Sequence, residues 1–112
     1  VSDSGIAIQR GDVCLVNLDP TLGREIQKTR PCLVVSPDEL NRHLSTVVIV
    51  PMTTGTYHYP FRIPCTFQKK KGHVVLDQVR CIDQRRLVSK LGQIHANTLV
   101  NVIDGLQTMF TM

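Results

Sequence analysis

Three short polar stretches interrupt an otherwise apolar, strand-forming sequence, and they hold the side chains that can do chemistry. The first is "GREIQKTRP", which gathers Arg24, Glu25, Lys28 and Arg30 on one loop. The second is Thr53-Thr54, a pair of hydroxyls where the run "TVVIVPM" stops. The third is Asp77-Gln78, a carboxylate beside an amide within "HVVLDQVRCID", followed by Arg80 and Asp83. Such groups can satisfy one another: Arg30 can pair with Asp77 or Asp83, since buried charges are usually paired. On that reading Thr53-Thr54 is a strand-ending turn, and Asp77-Gln78 serves backbone groups at a bulge. Alternatively, all three stretches sit at strand ends that converge on one groove and face a polar ligand.

The elements that must position these residues read as short strands. "GDVCLVNLDP" alternates and stops at Asp19-Pro20, a strand followed by a turn. Proline disfavours helix at the residue before it, so Arg30 is expected to be extended at the lip of the strand "CLVV". "SPDELNRH" predicts a helical turn with Ser36 as cap, Pro37 at its first position and Glu39 three residues after the cap. "TVVIVPM" predicts a central strand buried on both faces, and "TTGTYHY" a loop. "FRIPCTF", weakened by Pro64, belongs at an edge or bulge; "QKKKG" is a solvated turn whose lysines can touch phosphates. "HVVLDQVRCID" gives one long bent strand or two short ones. After an Asn97 cap, Leu99, Val102, Ile103, Leu106, Met109 and Phe110 recur at helical spacing. The expected fold is mainly β (α+β): a small barrel with short helices, closed by a C-terminal amphipathic helix. Residues 1–9 lack periodicity and are expected to form a flexible segment before a single domain over 10–112.

Composition narrows the function classes. The chain has 112 residues, 42% of them hydrophobic, which suits one domain with a real core. With no Trp, two Tyr and three Phe, it lacks the aromatic faces of a base-stacking platform or of a Pro-rich peptide groove. The formal charge of +4 permits a polyanionic partner. Cys14, Cys32, Cys65 and Cys81 are widely spaced, with no C-x-x-C and no nearby His pair, so zinc and a disulfide scaffold are both disfavoured. No stretch is apolar and long enough for a membrane span, and the chain reads as a reduced cytoplasmic protein. No Gly-rich phosphate loop, no carboxylate cluster for Mg²⁺ and no Ser-His-Asp set occurs. His58, between Tyr57 and Tyr59, is a lone loop histidine that can act as an acid or base.

"RGDVCLVNLDPTLGREIQKTRPCLVVSPDELNR", then "VVIVPMTT", then "VVLDQVRCIDQRRLVSKLG", resembles the MazF/PemK/Kid-type toxins of bacterial toxin–antitoxin systems. A lone Arg-Pro is a weak signal. The Gly-x-Glu loop, Arg-Pro strand, strand ending in Thr and Asp-Gln-x-Arg-x-Ile-Asp, in this order, are specific. The resemblance runs from about residue 10 to the C-terminus. It implies an SH3-like β-barrel forming a homodimer, and a sequence-specific endoribonuclease that cleaves single-stranded RNA (an mRNA interferase causing growth arrest) without metal or cofactor. The implied partner is an antitoxin whose C-terminal tail fills the RNA groove, with operator DNA reached only through that antitoxin. A catalytically inactive barrel that binds RNA or antitoxin as a regulator is the alternative.

Carried over by residue, the resemblance makes Arg30 and Thr53 catalytic. It places Glu25, Thr54, Asp77 and Gln78 in the RNA groove and Phe61, of "YPF", near the RNA, while Arg24 and Lys28 add basic character to the same loop. Ile26 stands where the family often has Gln, and Gln27-Lys28-Thr29 where a glycine often precedes Arg-Pro. Arg24 replaces a His found in some members, and Val75 an Arg, so the scheme that carries over is the one built on Arg30 and Thr53. RNA brings its own nucleophile, the 2′-OH. The protein's tasks are to deprotonate it, align the phosphorus and stabilise charge on the non-bridging oxygens. A planar guanidinium suits the last task, donating two parallel hydrogen bonds to phosphate. A guanidinium scarcely deprotonates in proteins, which leaves the general base open, with Glu25 a substitute.

Overall fold

The computed structural model describes residues 7–55 and 59–112. Its elements run β1 (Asp12–Asn17), β2 (Thr29–Val34), α1 (Asp38–His43), β3 (Thr46–Thr53), β4 (Arg62–Phe67), β5 (Lys70–Val75), β6 (Arg80–Asp83), β7 (Leu87–Gln93) and α2 (Ala96–Met109). Single 3₁₀ turns at Leu76–Gln78 and Gln84–Arg86 flank β6. All pairings are antiparallel, in the order β4-β5-β3-β2-β1-β7. On the side of β3 away from β2, its first half pairs with β6 (Thr46 to Ile49) and its end with β5 (Met52 and Thr53). One strand thus holds two others in succession, which curls the sheet into a half-closed barrel.

Alternation along β1 and β2 separates two cores. Cys14, Val16, Cys32 and Val34 join Val47, Ile49, Ile82 and Leu87 in one cluster. Val13, Leu33 and Val35 join Val50, Met52, Val74, Leu76 and Val102 in the other. The second cluster is covered by α2, whose Leu99, Ile103, Leu106 and Met109 pack on it. A sheet buried on both faces needs apolar residues at nearly every position, which is why "CLVV" and "VVIV" run without polar breaks. β4 lies at the sheet edge, where Pro64 costs little because its missing N–H is not needed by a second neighbour. The expected mainly β barrel with a C-terminal helix is what the chain forms.

Several local expectations are corrected. Ser36 does not cap α1: it is buried, donates to Asn41 Oδ1 at 2.5 Å and accepts from Val48 N at 3.1 Å. Its hydroxyl ties α1 to β3, and Pro37 occupies the cap position without a side-chain bond. α2 begins before Asn97, capped by His95, whose Nδ1 accepts from Asn97 N at 3.2 Å. Phe110 lies past the last helical turn and is exposed. The turn of "QKKKG" is confined to Gln68 and Lys69, both with positive φ, while Lys70 and Lys71 begin β5. "HVVLDQVRCID" resolves into two strands, β5 and β6. β7 was not foreseen as a separate element. Beyond its ladder to β1 it meets the β4–β5 hairpin by side chains, with Gln68 Nε2 donating to Leu91 O at 3.2 Å.

Candidate functional site

Two clefts adjoin along β3. Pro51 closes one of them; Met52, Thr53 and Thr54 line the other.

The strand-built cleft has a volume of 240 Å³ and brings Arg30 and Pro31 from β2 together with Thr53 and Thr54. Across it stand Gln68, Lys70, Lys71 and Gly72 of the β4–β5 hairpin. The β2–β3 ladder pairs Cys32 with Pro51, and the same register carried two residues further sets Arg30 level with Thr53. Arg30 is extended and exposed, as expected, with Nε donating a long bond of 3.3 Å to Gln27 O. The alternative of an Arg30 ion pair is not what the structure shows. Asp77 pairs with Arg62 at 3.2 Å and Asp83 with Arg85 at 3.0 Å, leaving Arg30 without a carboxylate among the described residues. Arg85's hydrogen bonds hold the Asp83 carboxyl below the usual carboxylate range. Among the described residues no acidic side chain lines this cleft. Lys70 and Lys71 are its contribution beyond the sequence reading; the "KKK" run was the signal, but only the fold shows which of its lysines line the cleft.

The loop-built cleft holds Arg24, Glu25 and Ile26 against Asp77, Gln78, Val79 and Arg80. Here the partners are fixed. Gln78 Oε1 accepts from Ile26 N at 2.6 Å, and its Nε2 donates to Arg24 O at 3.4 Å. Glu25 Oε1 accepts from Leu22 N at 2.9 Å, closing a tight turn. Asp77 receives both Nε and Nη2 of Arg62, whose guanidinium also lies 5.0 Å from the Tyr59 ring centre. Arg80 donates to Leu18 O at 3.2 Å. Phe61, held at φ 62°, lines neither cleft; its carbonyl accepts from Leu76 N at 3.0 Å. Lys28, at φ 68°, is exposed and lines neither cleft; its amide donates to Asp19 Oδ1 at 3.0 Å. Tyr57 and His58 lie outside the described residues.

Burial disfavours the thiolate at three of the four cysteines. Burial pushes Cys14 up to about 11, with Asp12 adding to the rise, and Cys32 up to about 12. Burial also raises Cys65, which lines the Arg30 cleft. Protonated thiols are poor nucleophiles and poor metal ligands. Among the described residues no three His, Cys, Asp or Glu side chains gather into a metal-binding group, and no helix is long and apolar enough to cross a membrane.

The family described as "PemK-like, MazF-like toxin of type II toxin-antitoxin system" matches residues 9–110. This chain belongs to that toxin family. It is 36% identical over 110 residues to the endoribonuclease PemK of Escherichia coli, covering 93% of this chain and 83% of PemK. Its fold is similar to the crystal structure of MazF from Deinococcus radiodurans, with a TM-score of 0.83, 27% identity, and 96% and 99% of the two chains covered. A mycobacterial endoribonuclease solved in complex with its cognate antitoxin is similar too, at a TM-score of 0.77 and 26% identity over 91% and 93% of the chains. Within this toxin fold, the Arg30–Thr53 cleft and the Glu25–Gln78 cleft take neighbouring residues of β3, Met52 and Pro51, into their walls.

Proposed function

We propose that this toxin is a metal-independent endoribonuclease that cuts single-stranded mRNA through attack of the 2′-OH on the adjoining phosphate. The observation that carries the reading is Arg30: exposed at the lip of β2, with no carboxylate partner among the described residues, and sharing a cleft with Thr53, Thr54 and two lysines. The scissile phosphate sits in that cleft, where the guanidinium donates to both non-bridging oxygens and the Thr53 hydroxyl helps hold them in line. Glu25, in the adjoining cleft, has one carboxylate oxygen engaged by Leu22 N and the other with no bond among the described residues, so it is the carboxylate that can take the 2′-OH proton. Bases of the flanking nucleotides face Arg24, Glu25, Asp77 and Gln78, whose mixed donors and acceptors suit base edges, while the Phe61 ring offers an apolar face to a base. The product is a 2′,3′-cyclic phosphate with a 5′-hydroxyl.

The partners proposed with this reading are a second copy of the chain, forming a homodimer, and a cytoplasmic antitoxin with an acidic tail. The cationic lining of the Arg30 cleft supports the tail, as does the antitoxin complex formed by the similar mycobacterial endoribonuclease. Operator DNA is reached only through the antitoxin.

The test is an RNA with deoxyribose on the 5′ side of the scissile phosphate, assayed with and without excess EDTA. Cleavage of the all-ribose strand is expected to persist in EDTA, and the deoxy strand is expected to bind but stay intact. A nuclease that activates water on a metal would stop in EDTA and cut the deoxy strand.

A further inference from the structure

We propose that Gly72 is a positioning residue for Thr53: the missing side chain at Gly72 lets the end of β3 close onto β5 and so sets where the Thr53 hydroxyl stands. The inference rests on Thr53 acting at the scissile phosphate. A Cβ built at Gly72 falls 2.1 Å from Thr53 O, 3.1 Å from Thr53 C and 3.4 Å from Thr54 Cα. All three are backbone atoms, so no rotamer change relieves the clash. To reach 3.0 Å, the shortest distance real Cβ atoms tolerate, the gap must widen by about 0.9 Å.

Which side yields follows from how each is held. Gly72 lies inside the β4–β5 ladder, opposite Cys65, with register pairs on both sides of it. The β3–β5 ladder, by contrast, ends at the Thr53–His73 pair, and Thr54–Gly55 beyond it has no regular structure. The free end of β3 therefore moves. Arg30 stays with β2, whose ladder to β1 runs through the Val16–Arg30 pair. An added methyl thus shifts Thr53 relative to Arg30, the two groups that must meet one phosphate. Misplacement by about 1 Å can cost about 10²-fold in rate even when binding is intact.

The experiment compares Gly72→Ala with the unaltered protein in single-turnover cleavage and in binding of the uncleavable deoxy-substituted RNA. Circular dichroism follows the fold. A fall in kcat of about 10²-fold, with the Kd for the deoxy strand within about twofold, is expected. Val102→Ala, fully buried on α2 and away from the cleft, serves as a control that loses thermal stability without losing kcat. The proposal is overturned if Gly72→Ala keeps its rate, if kcat and affinity fall together, or if Val102→Ala loses kcat as well. It is also overturned if Gly72→Ala fails to fold, since the glycine would then serve barrel closure. Thr53→Ala distinguishes the underlying reading: cleavage at the full rate by that variant would sink the role of Thr53 itself.

Discussion

The two clefts meet along β3 yet are made from different materials. The Arg30 cleft is walled by strands, lined by cations and hydroxyls, and among the described residues carries no carboxylate. Its neighbour is walled by a loop and a 3₁₀ turn, and it mixes Glu25 and Asp77 with an amide and two arginines. One arrangement concentrates positive charge where every nucleotide presents the same phosphate. The other offers donors and acceptors, which discriminate among base edges. Strands also hold their side chains more rigidly than loops do, so on the proposed reading rate belongs to the rigid wall and sequence preference to the adaptable one. Gln78 braces the loop wall. Its side-chain amide bonds the loop on both sides of Glu25 from the end of the turn that follows β5.

The strongest way to break this comparison is Arg30→Ala. Cleavage is expected to fall by about 10²–10³-fold, the loss typical of one donor to developing oxyanion charge. The melting temperature should barely move, because an exposed guanidinium with a single 3.3 Å backbone bond contributes little to folding. Arg30→Lys should recover only part of the rate, since an ammonium cannot donate two parallel bonds from a planar fork. Rate and melting curves are measured on the same samples. A variant that loses both together would return Arg30 to a structural role.

Gln78→Ala addresses the other wall and should cost less. Two hydrogen bonds from one amide to loop backbone are worth about 1–2 kcal/mol net, about tenfold in an equilibrium. The expected result is a broadened cleavage pattern on a long mixed-sequence RNA: preferred sites cut about tenfold more slowly, and poor sites hardly changed. Sequencing the cut ends reads this directly. A uniform drop at every site would mean that Gln78 serves the chemistry, and the division between the walls would fail.

How much of this was legible in the sequence depends on the range of the cause. The extended Arg30 was legible because Pro31 restricts its immediate neighbour. The stop of β3 at Thr53 was legible because the apolar run ends there. The edge position of β4 followed from Pro64. Ser36 and Asn97 misled, since each was read by local capping rules that distant or flanking partners overrode: Asn41 and Val48 claim the Ser36 hydroxyl, and His95 caps α2 in place of Asn97. Cleft membership was out of reach wherever it depends on register. Gln78 and Ile26 meet across 52 positions of sequence, and nothing local marks either for the other. Likewise "KKK" gave the charge at 69–71, but the Gln68–Lys69 turn decides that Lys70 and Lys71 enter β5 and the cleft while Lys69 does not. Arg30's freedom was the costliest ambiguity. It was settled by Arg62 and Arg85, the cations that take Asp77 and Asp83.

The smallest expected effect comes from those lysines, and it sharpens the comparison through salt. Lys70 and Lys71 line the cleft, where on the proposed reading they neutralise phosphate. For single strands, each phosphate contact contributes about −0.7 to the slope of log affinity against log salt. Lys70→Ala with Lys71→Ala should therefore flatten that slope by about 1.4 in all, weakening binding most at low salt and little at high salt. The cleavage pattern should be unchanged, because a phosphate contact carries no sequence information. Binding of a deoxy-substituted strand, titrated at several salt concentrations, measures the slope, and end-mapping of a ribose strand measures the pattern. Gln78→Ala should show the reverse: an unchanged slope with an altered pattern. If the lysine variant alters the pattern while the slope stays put, the cationic wall is reading bases after all.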